Sequence, residues 1–110
     1  MMQAEEVRQR FTQIKQTISQ MSDACQKASG NVSDELKNSI QELDQRSGQA
    51  SQELQKTQDE DEIRQCVDEL EELGDQAKAA CERGGNIDQK LKSAVMQAHQ
   101  ELSQLKHQLH

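Results

Sequence analysis

At 110 residues with a net charge of −7 and no Pro, Trp or Tyr, the chain has the size of one domain, and its wealth of Gln, Glu, Lys, Ala and Leu favours helix over strand throughout. Only 19 residues are Ile, Leu, Val or Phe, a share that by composition alone lies on the disordered side of the usual border, and at about 2 kcal/mol each they make a thin core. No stretch has the length of a membrane span and the opening MMQAEEVRQR holds no apolar run, so the expectation is a soluble cytoplasmic protein.

The order of the apolar residues outweighs their scarcity. A first helix is expected from about Gln3 to Ala28, with Val7, Phe11, Ile14, Ile18, Met21 and Cys25 following one another at alternating intervals of four and three. Ser29, Gly30 and Asn31 stop it, since Gly and Asn supply the left-handed residue that commonly ends a helix. A second helix starts at Ser33, a good N-cap, with Asp34 and Glu35 suiting the positive helix start. Its seam is Leu36, Ile40, Leu43, Ser47, Ala50 and Leu54, and Gly48 lies inside it at a cost of about 1 kcal/mol relative to Ala. Paired from opposite ends, the residue numbers of the two seams always add to 61 (Val7 with Leu54, Cys25 with Leu36). A constant sum is the signature of two antiparallel helices meeting layer by layer.

The segment Gln55 to Glu62 contains neither Gly nor Pro, and two readings of it compete. In one, Thr57 or Asp59 caps a third helix, with Glu60 or Glu62 as capping-box partner. In the other, residues 33–83 form one long central helix with the flanking helices folded back on it, assembling as a dimer. Leu54 and Ile63 stand nine residues apart, which at about 100° per residue places them on opposite faces of a continuous helix, and that break in phase favours the turn.

The third helix carries Ile63, Val67, Leu70, Gly74, Ala77 and Cys81, and the fourth Leu91, Val95, Ala98, Leu102, Leu105 and Leu109. Here the paired numbers always add to 172. Asn86 is expected to cap the fourth helix, with Gln89 three residues on as its capping-box partner. The third helix has an extra stripe, Cys66, Leu73 and Ala80, and this widest apolar face makes it the most buried element or the bearer of an oligomer contact.

The fold predicted is therefore all-α: an antiparallel four-helix bundle forming one domain from two similar hairpins, about 3–56 and about 60–110. A shift of 56 lays Arg8, Gln9, Gln20 and Lys27 on Arg64, Gln65, Gln76 and Arg83, and a shift of 55 lays Gly30, Asn31 and Lys37 on Gly85, Asn86 and Lys92; these matches off the seam point to an internal repeat. Layer volumes are complementary between the hairpins, with Ile18 and Leu43 against Gly74 and Ala98, and Ile14 and Ser47 against Leu70 and Leu102.

Chemistry is sparse. No charged residue and no His stands in a seam, which argues against a buried catalytic site, and no catalytic, cofactor-binding or metal-binding residue is assigned. Cys25 and Cys81 occupy matching seam positions beside the two loops. A disulfide switch between them would need Cα atoms within roughly 7 Å, while the plainer reading is two small core hydrophobes. His107 and His110 fall in a last helical turn, where cations are favoured without any function; a di-metal bundle site would need Glu-x-x-His, which does not occur.

Charge is segregated: residues 59–83 hold ten acidic and three basic residues. Asp68, Glu69, Glu71, Glu72 and Asp75 are expected on the outer side of the third helix, either as a solvated face or as a docking surface for a basic partner. Nucleic acid is disfavoured, because basic residues form no patch and stacking aromatics are missing. The leading expectation is a non-enzymatic structural or protein-interaction module, with self-association as a homodimer one form of it. The alternative is an amphipathic protein coating a lipid or granule surface, against which stand narrow apolar stripes and the lack of Trp.

Overall fold

The computed structural model describes residues 3–28, 32–85 and 87–110. Within them the chain forms α1 (Ala4–Lys27), α2 (Asp34–Lys56), α3 (Glu60–Arg83) and α4 (Gln89–Leu109). Each helix packs on two others in the cyclic order α1, α2, α3, α4 and back to α1, so the bundle is closed. The molecule measures 43 × 21 × 18 Å, a long axis set by helices of 24 residues that are each about 36 Å long.

Local signals set the ends. Ser33 Oγ accepts from the Leu36 amide at 3.2 Å and opens α2. Asp59 Oδ1 accepts from the Asp61 amide at 2.9 Å and opens α3, so a turn and not a continuous helix separates Leu54 from Ile63. Glu60, Asp61 and Glu62 then fill the first turn of α3 and Arg83 the last, each favoured by the helix dipole. At the start of α4 the structure corrects the expected cap: Asp88 is the N-cap, its Oδ1 accepting from the amides of Lys90 and Leu91 at 2.9 and 3.3 Å. A carboxylate there opposes the positive helix end directly, and Gln89 is the first helical residue rather than a capping-box partner. Asn86 lies outside the described residues, as do Ser29, Gly30 and Asn31, the expected stop of α1; α1 itself ends at Lys27 with Ala28 extended.

Every seam residue read from the sequence is buried except Cys25, which is half-buried. The remaining buried positions are Thr17, Cys66 and Ala80. Cys66 and Ala80 belong to the extra stripe of α3, and Leu73 between them is partly buried against the core, so α3 has the widest covered face. Two hydroxyls enter the interior and both stay within their own helix: Ser47 Oγ donates to the Asp44 carbonyl at 2.7 Å and Thr17 Oγ1 to the Gln13 carbonyl at 3.2 Å. Neither leaves an unmet polar group in the core. A Cβ on Gly74 would sit 3.2 Å from Leu102 Cδ1, so the absent side chain makes room for a leucine of α4.

Candidate functional site

With the seams filled by hydrocarbon and thiol, the chemistry lies along the grooves between neighbouring helices. In the groove between α2 and α3, Arg46 is the centre: its guanidinium meets Glu69 at 2.6 Å and Glu53 at 3.3 Å and donates to Gln49 Oε1 at 3.0 Å. Glu53 in turn accepts from Cys66 Sγ at 2.9 Å. Burial, together with the hydrogen bond to that carboxylate, pushes the Cys66 thiol up to about 12; the same bond and the Arg46 guanidinium hold the Glu53 carboxyl below its usual range. A thiol held neutral this way is a poor nucleophile.

The groove between α3 and α4 carries one ion pair and two histidine–carboxylate hydrogen bonds. His110 Nε2 lies 2.9 Å from Asp68 Oδ1, Lys106 Nζ 3.3 Å from Glu71 Oε2, and His99 Nε2 2.7 Å from Asp75 Oδ1. Asp68, Glu71 and Asp75 therefore lean toward α4 instead of standing on a wholly outward face, and Glu69 leans toward α2. Of the five acidic residues singled out from the sequence, Glu72 alone has no hydrogen-bond or ion-pair partner among the described residues. The register explains this: the α3 and α4 seam numbers add to 172, and residues just beside the seam, such as Asp75 and His99, come to face each other across it. Glu71 and Asp75 are four residues apart on one helix face, and with His99 they form a cluster whose ligand-type atoms all lie within 4.8 Å of one another. No Glu-x-x-His spacing along one helix announces this cluster, because the histidine arrives from the opposite helix.

The thiols beside the loops are free: Cys81 is buried and Cys25 half-buried. Burial raises both, opposed by Lys37 near Cys25 and by Lys92 near Cys81. Cys25 also lines a cavity of about 320 Å³ with Ala28, Val32 and Ile40 at that end of the first hairpin. At the opposite end Arg8 closes α2, its Nε donating to the Leu54 carbonyl at 2.8 Å and Nη2 to the Thr57 carbonyl at 3.3 Å. No helix among the described residues is long and apolar enough to cross a membrane. Compared with protein-family models, curated proteins and solved structures, the chain gives no match.

Proposed function

We propose that the protein is a non-enzymatic helical module that works in the cytoplasm by offering its surface to another protein, with Asp68, Glu69, Glu71, Glu72 and Asp75 as the face presented to a basic partner. The observation that carries this reading is the division between interior and surface. The interior is filled by apolar side chains and two neutral thiols, and its two hydroxyls are bonded to their own backbone, so the charged groups stand outside it. Met96 is the one large apolar residue exposed among the described residues, which leaves little apolar area for a second copy or a lipid surface and makes charge the natural basis of recognition. Glu69 and Asp75 are well exposed in their pairs and Asp68 is half-exposed; such contacts are worth about 0–1 kcal/mol and a cationic partner can replace them, while Glu71 lies deeper. The rival reading as a lipid or granule coat requires the bundle to open, and liposome flotation without binding would remove it.

The test is a titration of the whole protein with a fluorescent Lys/Arg-rich peptide at low salt. Binding should weaken as salt rises and weaken further in Glu72→Lys, a charge reversal at the acidic residue without an internal partner. Binding that is absent, or indifferent to Glu72→Lys and to a second reversal at Glu69, sinks the docking role of this face.

A further inference from the structure

Independently of any docking role, we propose that Glu71, Asp75 and His99 form a site for a divalent transition cation of the zinc class, bridging α3 to α4. The donor set is one imidazole nitrogen and two carboxylate oxygens contributed by two helices, the mixed N/O set that suits zinc, cobalt or nickel better than calcium or magnesium, which favour oxygen alone. Glu71 and His99 have side chains only 15% and 19% exposed, so two of the three ligands are already held in the groove and little ordering is left for binding. Asp75, 61% exposed, is the outer, adjustable ligand.

The geometry is close to what coordination needs. Ligand atoms around a tetrahedral zinc stand at about 2.0–2.2 Å from the ion and hence about 3.3–3.5 Å from each other. The present cluster, within 4.8 Å, has to contract by about 1.5 Å at its widest, while the His99 and Asp75 atoms, now 2.7 Å apart, must separate slightly. Both are side-chain movements. Gly74 stands immediately before Asp75, and the Cβ it lacks would lie 3.8 Å from the His99 Cα; this close approach of the two backbones brings the imidazole onto the α3 carboxylates. Water completes the coordination. Lys106 at 3.3 Å from Glu71 is the competitor; its own side chain is 41% exposed, so the ammonium can swing out to water when a cation takes its place on Glu71. Binding replaces the Lys106–Glu71 ion pair and the His99–Asp75 hydrogen bond by a bridge between helices and so stabilises the folded chain by mass action.

The experiment uses the full chain, Co²⁺ as a spectroscopic probe and Zn²⁺ calorimetry. Zn²⁺ should bind with one strong site and raise Tm, Co²⁺ should show ligand-field bands, and Mg²⁺ at equal concentration should do neither. His99→Gln should weaken binding by about tenfold or more, while Lys106→Met should tighten it, a gain not expected of cations merely condensing on an acidic surface. His107→Gln/His110→Gln should leave the site intact. Helicity and Tm without metal serve as folding controls for each variant. Should His99→Gln fail to fold, the imidazole nitrogen resonances of the native chain decide: the His99 signal must move on adding Zn²⁺. Zn²⁺ affinity unchanged by His99→Gln, or shifts confined to His107 and His110, would overturn the proposal.

Discussion

In water a cysteine thiol loses its proton near pH 8.5, but Cys66, covered by α2 and donating to Glu53, keeps its proton up to about 12. The sign of the consequence follows from linkage. Between those two values the unfolded chain gives up this proton and the folded chain keeps it, so the unfolded state binds fewer protons and stability falls as pH rises. The contribution is complete below about pH 8.5 and is lost progressively toward 12. Urea unfolding at a series of pH values from 8 to about 11 should therefore show a decline, and Cys66→Ala should flatten it. Cys25 and Cys81, also raised by burial, act in the same direction and leave a residual slope. An unchanged slope in Cys66→Ala would mean that the thiol is not held neutral by the fold. None of this was legible from the sequence, where Cys66 appeared only as a member of an apolar stripe. Its partner is Glu53, thirteen residues away on another helix, and the pairing depends on the rotation of α2 against α3.

At the scale of the element, two helix glycines separate propensity from packing. A Cβ on Gly48 in α2 would meet nothing within 4 Å, whereas one on Gly74 in α3 would press Leu102 Cδ1 at 3.2 Å. Gly48→Ala should gain about 0.5–1 kcal/mol from helix propensity alone, and Gly74→Ala should gain less, because Leu102 must give way by a few tenths of an ångström in a packed layer. Chemical denaturation of both variants checks this order, and an equal gain would contradict the account of Gly74 as a place of close approach. Core faces and most helix ends are legible because periodicity and caps are local: the 4,3 spacing gives the seams and Ser33 marks a helix start, while for α3 the sequence leaves Thr57, Asp59 and a continuous helix open and the structure selects Asp59. The start of α4 is not fixed by residue type, because Asn and Asp are both competent caps and the sequence offers Asn86 and Asp88 two residues apart; the structure places the cap at Asp88. Arg8 and Arg64 show a similar limit. They hold matching places in the two hairpins and each has a carboxylate three residues before it, Glu5 and Asp61, yet Arg8 reaches over to the end of α2 while Arg64 pairs with Asp61 at 3.2 Å in its own helix.

At the scale of the molecule, the two sums of 61 and 172 each describe a hairpin, but neither describes how the hairpins meet. The structure closes them through α2 against α3 and α1 against α4, so each helix has half of its buried face in the other hairpin. Complementary layers foreshadowed this; the groove that brings Arg46 of α2 to Glu69 of α3 depends on closure, whereas the one that brings His99 to Asp75 lies within the second hairpin and depends on helix rotations that the spacing leaves free. A hairpin alone would expose its second face, and with so few large apolar side chains neither half has a core to spare. The two halves should therefore unfold as one cooperative unit. Leu43→Ala in the first hairpin and Leu70→Ala in the second, both fully buried, should each cost about 2–5 kcal/mol and lower the same single transition, with helicity and a probe in the other hairpin changing together. A variant whose unfolding splits into two steps, with one hairpin persisting after the other is lost, would show that the interface between hairpins is subsidiary to the seams within them.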